Sequence, residues 1–265
     1  MPAPHSFSKL RQLVTLTATL CTSAGTALTA QSPTLTGAAR WADTVRVTIE
    51  RANISGSATE LTAAGALADR ALSAFPNDPL LLHYRAYGLY REAQRDPARS
   101  DASKAQMERA IELLERSAAT RPLPETQALL SGCLGWLAGG GMVAGMRYGP
   151  ASTEAREAAD ALGPRNPRVL LLAAVGIWFT PKMWGGGEDK GYALMQRAVA
   201  EFATDAPAKP LPAWGRAEAH AWLGQMEQKR GNAAAARAAY EKALELEPGY
   251  AWVSRVLLPS LAKTP

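Results

Sequence analysis

The sequence predicts an all-α fold: an α-solenoid of about five helical hairpins with a C-terminal capping helix. Two features of composition and one recurring pattern support this prediction. Alanine provides 53 of the 265 residues, whereas aromatic residues make up only 7%. This balance favours closely packed helices over sheets, which are rich in β-branched and aromatic side chains. The recurring pattern is a pair of helices whose second member ends at a proline, a residue that cannot continue a helix.

Composition also excludes several classes of function. The formal net charge of +5 comes from 29 Lys and Arg against 24 Asp and Glu. Two of those positive charges, Lys9 and Arg11, lie near the N-terminus, and the rest are scattered, so we expect no nucleic-acid partner. Two cysteines and three histidines are too few for a zinc ribbon or an iron–sulfur cluster, so we expect no metal and no cofactor.

The first thirty residues have the layout of a secretory signal. Lys9 and Arg11 precede an uncharged run over residues 13–28 that ends in small residues. We therefore expect residues 1–30 to be a signal peptide, residues 31–265 to form the helical repeat domain, and the protein to be periplasmic or secreted. The alternative is an N-terminal core helix or a membrane anchor. Because the run is short and rich in Thr, we expect no transmembrane span in the mature chain.

One stretch carries the helical-hairpin pattern in full. Residues 217–248 resemble the tetratricopeptide repeat (TPR), a family of helical-hairpin repeats, with small, aromatic and proline residues at that family's offsets. The matching residues are Leu223, Gly224, Gly231, Ala236, Tyr240, Ala243 and Pro248. Gly224 and Ala236 are small and are expected to let the two helices approach, while Gly231 and Pro248 end them. Glu227 departs from the family, which usually has Tyr there.

The end of the second helix recurs earlier in the chain. Copies occur at Ala64, Ala71 and Pro76, at Ala110, Ser117 and Pro122, and at Ser152, Ala159 and Pro164, with a weaker copy at Gly191 and Ala198 that lacks the proline. Counting forward from each proline places a small residue at the helix-contact position of the next first helix: Ala86, Gly132 and Ala174. These small residues did not set the phase, so they support it independently.

The repeat phase predicts the individual elements. First helices are expected at about 38–53, 79–92, 125–138, 167–179 and 213–230, and second helices at about 58–75, 102–119, 151–162, 189–203 and 233–247. Long loops are expected inside three hairpins, at 93–103, 138–151 and 180–188. The apolar stretch 251–261 is expected to cap the stack, because a terminal repeat otherwise leaves its packing face in water.

A second resemblance covers residues 145–198. The motifs MRYGPAS, NPRVLLL and TPKMWGGGEDKG are similar to those of a group of exported bacterial tetratricopeptide-like proteins without an assigned activity. This resemblance implies an architecture and a compartment, and it implies no reaction.

The motifs that suggest chemistry have simpler structural explanations. The glycines of 184–191 are not followed by the Lys-Ser/Thr pair of a phosphate-binding loop, so a structural turn is favoured over an anion site. Gly139–Gly141 suggests a mobile lid or, more simply, a flexible loop. His83 and His220 lie on different hairpins, and Cys133 lies in an apolar helix. We therefore expect no catalytic residues and no enzymatic activity.

Aromatic residues on the first helices indicate a binding surface. The tetratricopeptide resemblance implies that one side of these helices lines a concave groove, and the candidate partner-binding residues on that side are His83, Tyr87, Tyr90, Trp136 and Trp178. The alternative is that a tightly wound array closes its groove and makes these residues core.

The sequence thus predicts a non-enzymatic interaction or scaffold module of the bacterial cell envelope that binds a polypeptide in its groove. The partner is expected to be a protein or peptide of the envelope whose identity is unknown. The alternative is a small-ligand-binding accessory component related to solute transport. An open groove with dispersed polar residues would favour a peptide, whereas a closed apolar pocket would favour a small ligand.

Overall fold

A computed structural model describes residue 35 and residues 37–262, so the predicted signal peptide, residues 1–30, lies outside the described residues. In this described part, five antiparallel helical hairpins follow one another and no strand occurs, which confirms the all-α solenoid. The hairpins are α1 (Gly37–Ser55) with α2 (Ala58–Ala74), α3 (Pro79–Ala93) with α4 (Asp101–Thr120), α5 (Pro124–Ala138) with α6 (Met142–Leu162), α7 (Pro167–Phe179) with α8 (Glu188–Phe202), and α9 (Arg216–Lys229) with α10 (Ala233–Leu246).

Local sequence explains where several helices begin. Four helices begin after a residue whose side chain accepts a hydrogen bond from a backbone N–H of the first turn. These residues are Ser57 before α2, Asp78 before α3, Ser100 before α4 and Asn166 before α7. Such caps satisfy donors that have no partner inside the helix. Proline occupies the first position of α3, α5 and α7, where its missing N–H costs nothing.

The small residues that define the repeat phase lie in the core. The alanines and serine near the end of each second helix are fully buried, as are the small contact residues of two first helices: Ala71, Ser117, Ala159, Ala198, Ala243, Ala86 and Ala174. Small side chains at these positions let neighbouring helices approach closely. The predicted phase is therefore confirmed at these positions, whereas Gly132 of α5 is half-buried and lies against the Tyr90 ring of α3.

The last hairpin corrects one expected contact. Gly224 on α9 was expected to pack with Ala236, but its nearest neighbour on α10 is the ring of Tyr240. A methyl group added at Gly224 would lie 2.3 Å from Cε1 of that ring. The small residue therefore makes room for an aromatic side chain one helical turn further along α10.

The expected loop over 138–151 is wrong. Only residues 139–141 separate α5 from α6, and α6 begins at Met142 and continues through Pro150. Gly141 has φ of 131°, a conformation that favours glycine, and it starts the helix. The loop was expected because of the glycines and Pro150. Gly139 and Gly140 lie before α6, and Pro150 lies within it.

The other two long connections and the C-terminal cap are present as expected. Residues 94–100 join α3 to α4, and residues 180–187 join α7 to α8 through a 3₁₀ turn at Lys182–Trp184. Residues 251–261 are helical: a π-helical turn, Val253–Leu257, is followed by α11 (Leu258–Leu261). This segment packs on α9 and α10 and covers the end of the last hairpin.

Candidate functional site

The side of the first helices that was predicted to line a groove is mostly buried. His83 on α3 is fully enclosed, and Tyr87, Tyr90 and Trp178 are each less than 8% exposed. The alternative of a closed groove therefore fits their burial. A contact between His83, Tyr87 or Tyr90 and a partner stays a prediction, and it requires the residues that cover them to move.

Those covering residues belong to the chain itself. The connection from α8 to α9, residues 203–215, has no regular structure and runs across α3 and α7. Trp214 stacks on Tyr87 with ring centroids 5.0 Å apart, and the hydroxyl of Tyr84 donates a hydrogen bond of 2.5 Å to the Pro210 carbonyl. Trp214 is itself buried. We call residues 203–215 the covering segment.

Two buried arginines on first helices bind carboxylates at the start of α9 and in the covering segment. Arg91 on α3 donates to both carboxylate oxygens of Glu218 on α9, with 2.8 Å between Nη1 and Oε1, and it also donates to the Tyr87 hydroxyl at 3.0 Å. Arg168 on α7 forms a two-pronged pair with Asp205 of the covering segment. Fork-shaped pairs of this kind fix geometry as well as contributing energy.

The ends of the array also meet. A methyl group added at Gly56, in the turn after α1, would lie 3.0 Å from the Cβ of Ala251 in the C-terminal segment. Ile54 packs against the apolar cluster of the last hairpin, which includes Tyr250. The first and last hairpins are therefore in contact, and the concave side is filled by the protein's own residues.

The enclosed titratable groups do not form a catalytic arrangement. The Nδ1 atom of His83 lies 3.1 Å from the Thr126 hydroxyl, and burial, helped by the charge of Arg168, lowers the pKa of His83 to about 3. Burial raises the pKa of the Cys133 thiol, so that thiol stays protonated and unreactive. Among the described residues, no three His, Cys, Asp or Glu side chains are grouped closely enough to bind a metal ion.

Two of the predicted aromatic residues lie apart from the enclosed His83, Tyr87 and Tyr90. Trp136 is half-buried beneath Arg99, whose guanidinium carbon is 4.1 Å from the ring centroid. Trp178 lies at the wall of an open cavity, where the Lys229 ammonium is 5.7 Å from its ring centroid. The five predicted residues therefore do not form one surface: three are enclosed, Trp136 is half-buried, and Trp178 is buried at the wall of the cavity.

That cavity, of about 420 Å³, lies between α7, α9 and the C-terminal segment. We call it the aromatic cavity. Trp178, Phe179 and Trp222 form one wall, Val256 and Leu257 another, and Gln225, Gln228 and Lys229 supply polar groups. The Phe179 and Trp222 rings meet edge to face with centroids 6.0 Å apart. An apolar wall with a few polar groups is typical of binding sites in proteins.

The glycine-rich turn before α8 has a structural role. A methyl group at Gly186 would lie 2.2 Å from the Thr180 carbonyl oxygen, so only glycine fits there. Glu188 and Asp189, in the first turn of α8, pair with Lys229 and Arg230. These carboxylates oppose an anion at this helix end, which is consistent with a structural turn.

Sequence reasoning missed several of these residues. Trp214, Asp205 and Glu218 were not predicted to matter, and Trp222 and Phe179 were not placed at a site. The available signal was the length of the connection after α8, with its prolines and a tryptophan, since long connections within a compact domain usually have a function.

No protein-family model matches the sequence, and no curated protein matches it. The fold does match solved structures. A thermophilic TPR protein from Thermus thermophilus superposes with a TM-score of 0.61 at 20% identity, covering 85% of this chain and 100% of that one. The HusA haemophore from Porphyromonas gingivalis superposes with a TM-score of 0.52 at 21% identity, covering 73% of this chain and 94% of that one. The chain therefore has a TPR-like repeat fold.

None of the described helices is both long enough and apolar enough to cross a membrane.

Proposed function

We propose that this protein is a non-enzymatic interaction module of the bacterial cell envelope that binds a polypeptide through the aromatic cavity. The observation that carries the proposal is the aromatic wall of Trp178, Phe179 and Trp222 at an open cavity, in a molecule whose concave side is otherwise filled. Aromatic side chains at partly open pockets are frequent anchors for binding partners. The TPR-like fold supports an interaction role in general.

The polypeptide binds by inserting an apolar side chain between Trp222 and Val256. Gln225 and Lys229, at the cavity wall, are placed to hydrogen-bond its backbone carbonyls. The Nε2 atom of Gln225 is buried without a hydrogen-bond partner. A buried donor without an acceptor is costly, so turning the Gln225 amide toward the cavity to donate to an incoming carbonyl oxygen would favour binding.

The test is a selection of short peptides from a displayed random library with the full chain as bait, followed by affinity measurement on selected peptides. We expect enriched peptides to share an apolar anchor residue, and we expect Trp222→Ala to weaken their binding by about 2 kcal/mol. Val47→Ala, on the exposed side of α1, is the matched control and should leave affinity unchanged. Peptides that bind the Trp222→Ala variant as well as the parent would contradict the proposal.

A small organic ligand is the second candidate, because the cavity volume lies within the usual range for small-molecule sites, roughly 300–1,000 Å³. One fold neighbour is named as a haemophore, which supports considering a non-peptide ligand. The same variants distinguish the two candidates. Thermal stabilisation of the parent by small aromatic compounds, lost in Trp222→Ala, together with an empty peptide selection, would favour this second function.

The envelope location rests on residues 1–30. If this segment is a signal peptide, N-terminal sequencing of exported protein should begin between Leu28 and Pro33. Recovery of the intact N-terminus from the cytosol would overturn the proposed compartment while leaving the cavity proposal in place.

A further inference from the structure

Among the described residues, the most exposed apolar side chains are concentrated in two short stretches, the start of α6 and the end of α7 with the connection that follows it. Across the part of the chain that the structure describes, every large apolar side chain that is at least 60% exposed belongs to residues 142–146 or 179–184. These are Met142, Val143, Met146, Phe179, Met183 and Trp184, with Met183 the most exposed at 83%. Scattered single apolar residues are normal on a protein surface, but a concentration of this kind marks an interaction site.

These two stretches lie on the same edge of the array. One follows α5 and the other follows α7, and α5 and α7 are first helices of successive hairpins that pack against each other. Helices stacked in the same direction end at the same edge. Two contacts between successive hairpins support this common edge. Arg99, in the connection after α3, contacts Trp136 near the end of α5. Arg230, which follows α9, pairs with Asp189 beside the connection after α7. We call residues 139–148 and 179–187 the turn edge.

The charge of the turn edge is positive. Residues 139–148 contain Arg147 and no acid, and residues 179–187 contain Lys182 and no acid. The nearest carboxylates along the chain, Glu188 and Asp189, are paired with Lys229 and Arg230. The Glu108 carboxylate of α4 meets this edge at Tyr148, whose hydroxyl donates to it at 3.5 Å, and the two basic side chains outnumber it. An approaching surface therefore meets protruding apolar side chains flanked by basic groups.

We propose that the turn edge docks peripherally on an anionic phospholipid bilayer. Tryptophan prefers the membrane–water interface, and apolar side chains inserted below the headgroups supply binding energy in proportion to the area they bury. Basic residues beside them are attracted to anionic headgroups. The apolar groups protrude from two separate stretches, and a deformable lipid surface can accommodate both at once. This surface shares Phe179 with the aromatic cavity but is otherwise built from different residues, and the proposal does not depend on a ligand there.

The test is flotation of the full chain with vesicles of phosphatidylcholine alone and of phosphatidylcholine mixed equally with phosphatidylglycerol. We expect binding to the mixed vesicles, weakened by added salt. Replacing both Met183→Ser and Trp184→Ser should weaken that binding about tenfold or more, because the inserted apolar area is lost. Replacing Arg147→Ala and Lys182→Ala should weaken it about fivefold per removed charge on anionic vesicles only.

Because residues 13–28 are themselves apolar, every variant is compared within the same full-length chain. The matched control replaces Trp41→Ser and Val47→Ser on α1, which are partly exposed and lie away from the turn edge; this control should bind like the parent. The altered side chains of the turn edge are exposed, so unchanged melting is expected and is verified by circular dichroism. Equal vesicle binding by the parent and the Met183/Trp184 variant would overturn the proposal. A parent that avoids vesicles but dimerises through these residues would also overturn it, in favour of a second copy of the chain.

Discussion

Two glycines determine how closely paired helices approach in the last two hairpins. A methyl group at Gly191 would lie 2.8 Å from backbone atoms of Trp178, and one at Gly224 would lie 2.3 Å from the Tyr240 ring. Both distances are too short for a carbon atom, so each helix pair must separate to accept a side chain. At these positions the absence of a side chain outweighs the poor helix propensity of glycine.

Gly224→Ala is therefore expected to lower the free energy of unfolding by about 1–3 kcal/mol through overpacking. The measurement is urea denaturation monitored by circular dichroism. Gly176→Ala on α7 is the matched control, because nothing lies within 4 Å of the added methyl group there. That control should gain up to about 1 kcal/mol from improved helix propensity. Equal midpoints for both variants would show that Gly224 does not face Tyr240.

His83 gives the protein a specific dependence of stability on pH. Its pKa is about 3 in the folded state, where burial disfavours the charged ring, and near 6.5 when unfolded. Between these values the unfolded chain binds a proton that the folded chain does not. The contribution of His83 to the free energy of unfolding is therefore fully present above the unfolded-state pKa. It is lost as the pH falls below that pKa, by about 1.4 kcal/mol per pH unit.

The matching experiment compares the parent with His83→Gln, which keeps a polar group beside Thr126. Urea midpoints measured from pH 7 to pH 5 should fall more steeply for the parent than for the variant, since carboxylates and other groups act equally in both. Parallel curves would show that His83 is accessible to protons in the folded state.

The sequence predicted the small buried residues because one repeat unit places them at fixed offsets. Ala71, Ala159 and Ala243 follow from the position of the prolines and are enclosed as expected. The partners Arg91 and Glu218 are 127 residues apart. No periodic pattern links such residues, because their contact depends on how tightly the whole array winds.

At the scale of elements, the helices were predicted well and the connections less so. α6 extends back to Met142 although Gly139–Gly141 and Pro150 suggested a loop. Met142, Ala144 and Met146 favour helix, and packing of the helix along α5 compensates for Gly145 and Gly149. In this hairpin, the pairing of α6 with α5 therefore outweighs the local tendency of glycine and proline to interrupt a helix.

The covering segment is the element whose role was least predictable. A connection without regular structure is normally expected at the surface, yet this one places Trp214 against Tyr87 inside the molecule. The pair formed by Asp205 and Arg168 fixes the start of this segment, and the stack on Tyr87 fixes its end.

Trp214→Ala is expected to lower the free energy of unfolding by about 3–5 kcal/mol, because a large buried side chain is removed from the core. Trp184→Ala is the matched control, since Trp184 is exposed, and it should change stability by less than about 0.5 kcal/mol. Thermal melting of both variants is the measurement. A Trp214→Ala variant that melts with the parent would mean that the covering segment does not hold the array together.

For the whole molecule, closure separates the regions available for binding from those used for stability. The concave side is filled by the covering segment and α9, and the ends meet where the turn after α1 contacts the C-terminal segment. The aromatic cavity and the turn edge are left facing solvent. The repeat pattern predicted the array, whereas closure depends on the curvature summed over all five hairpins.

The pair formed by Arg91 and Glu218 tests closure most directly, because it joins the second hairpin to the fifth. The measurement is a double-mutant cycle in unfolding free energy with Arg91→Met, Glu218→Met and both together. We predict that each single change costs about 3–5 kcal/mol, since it leaves a buried charge unpaired, and that the double variant costs less than the sum of the two single changes. The expected coupling is roughly 1–3 kcal/mol. Single effects that simply add would contradict the closed array.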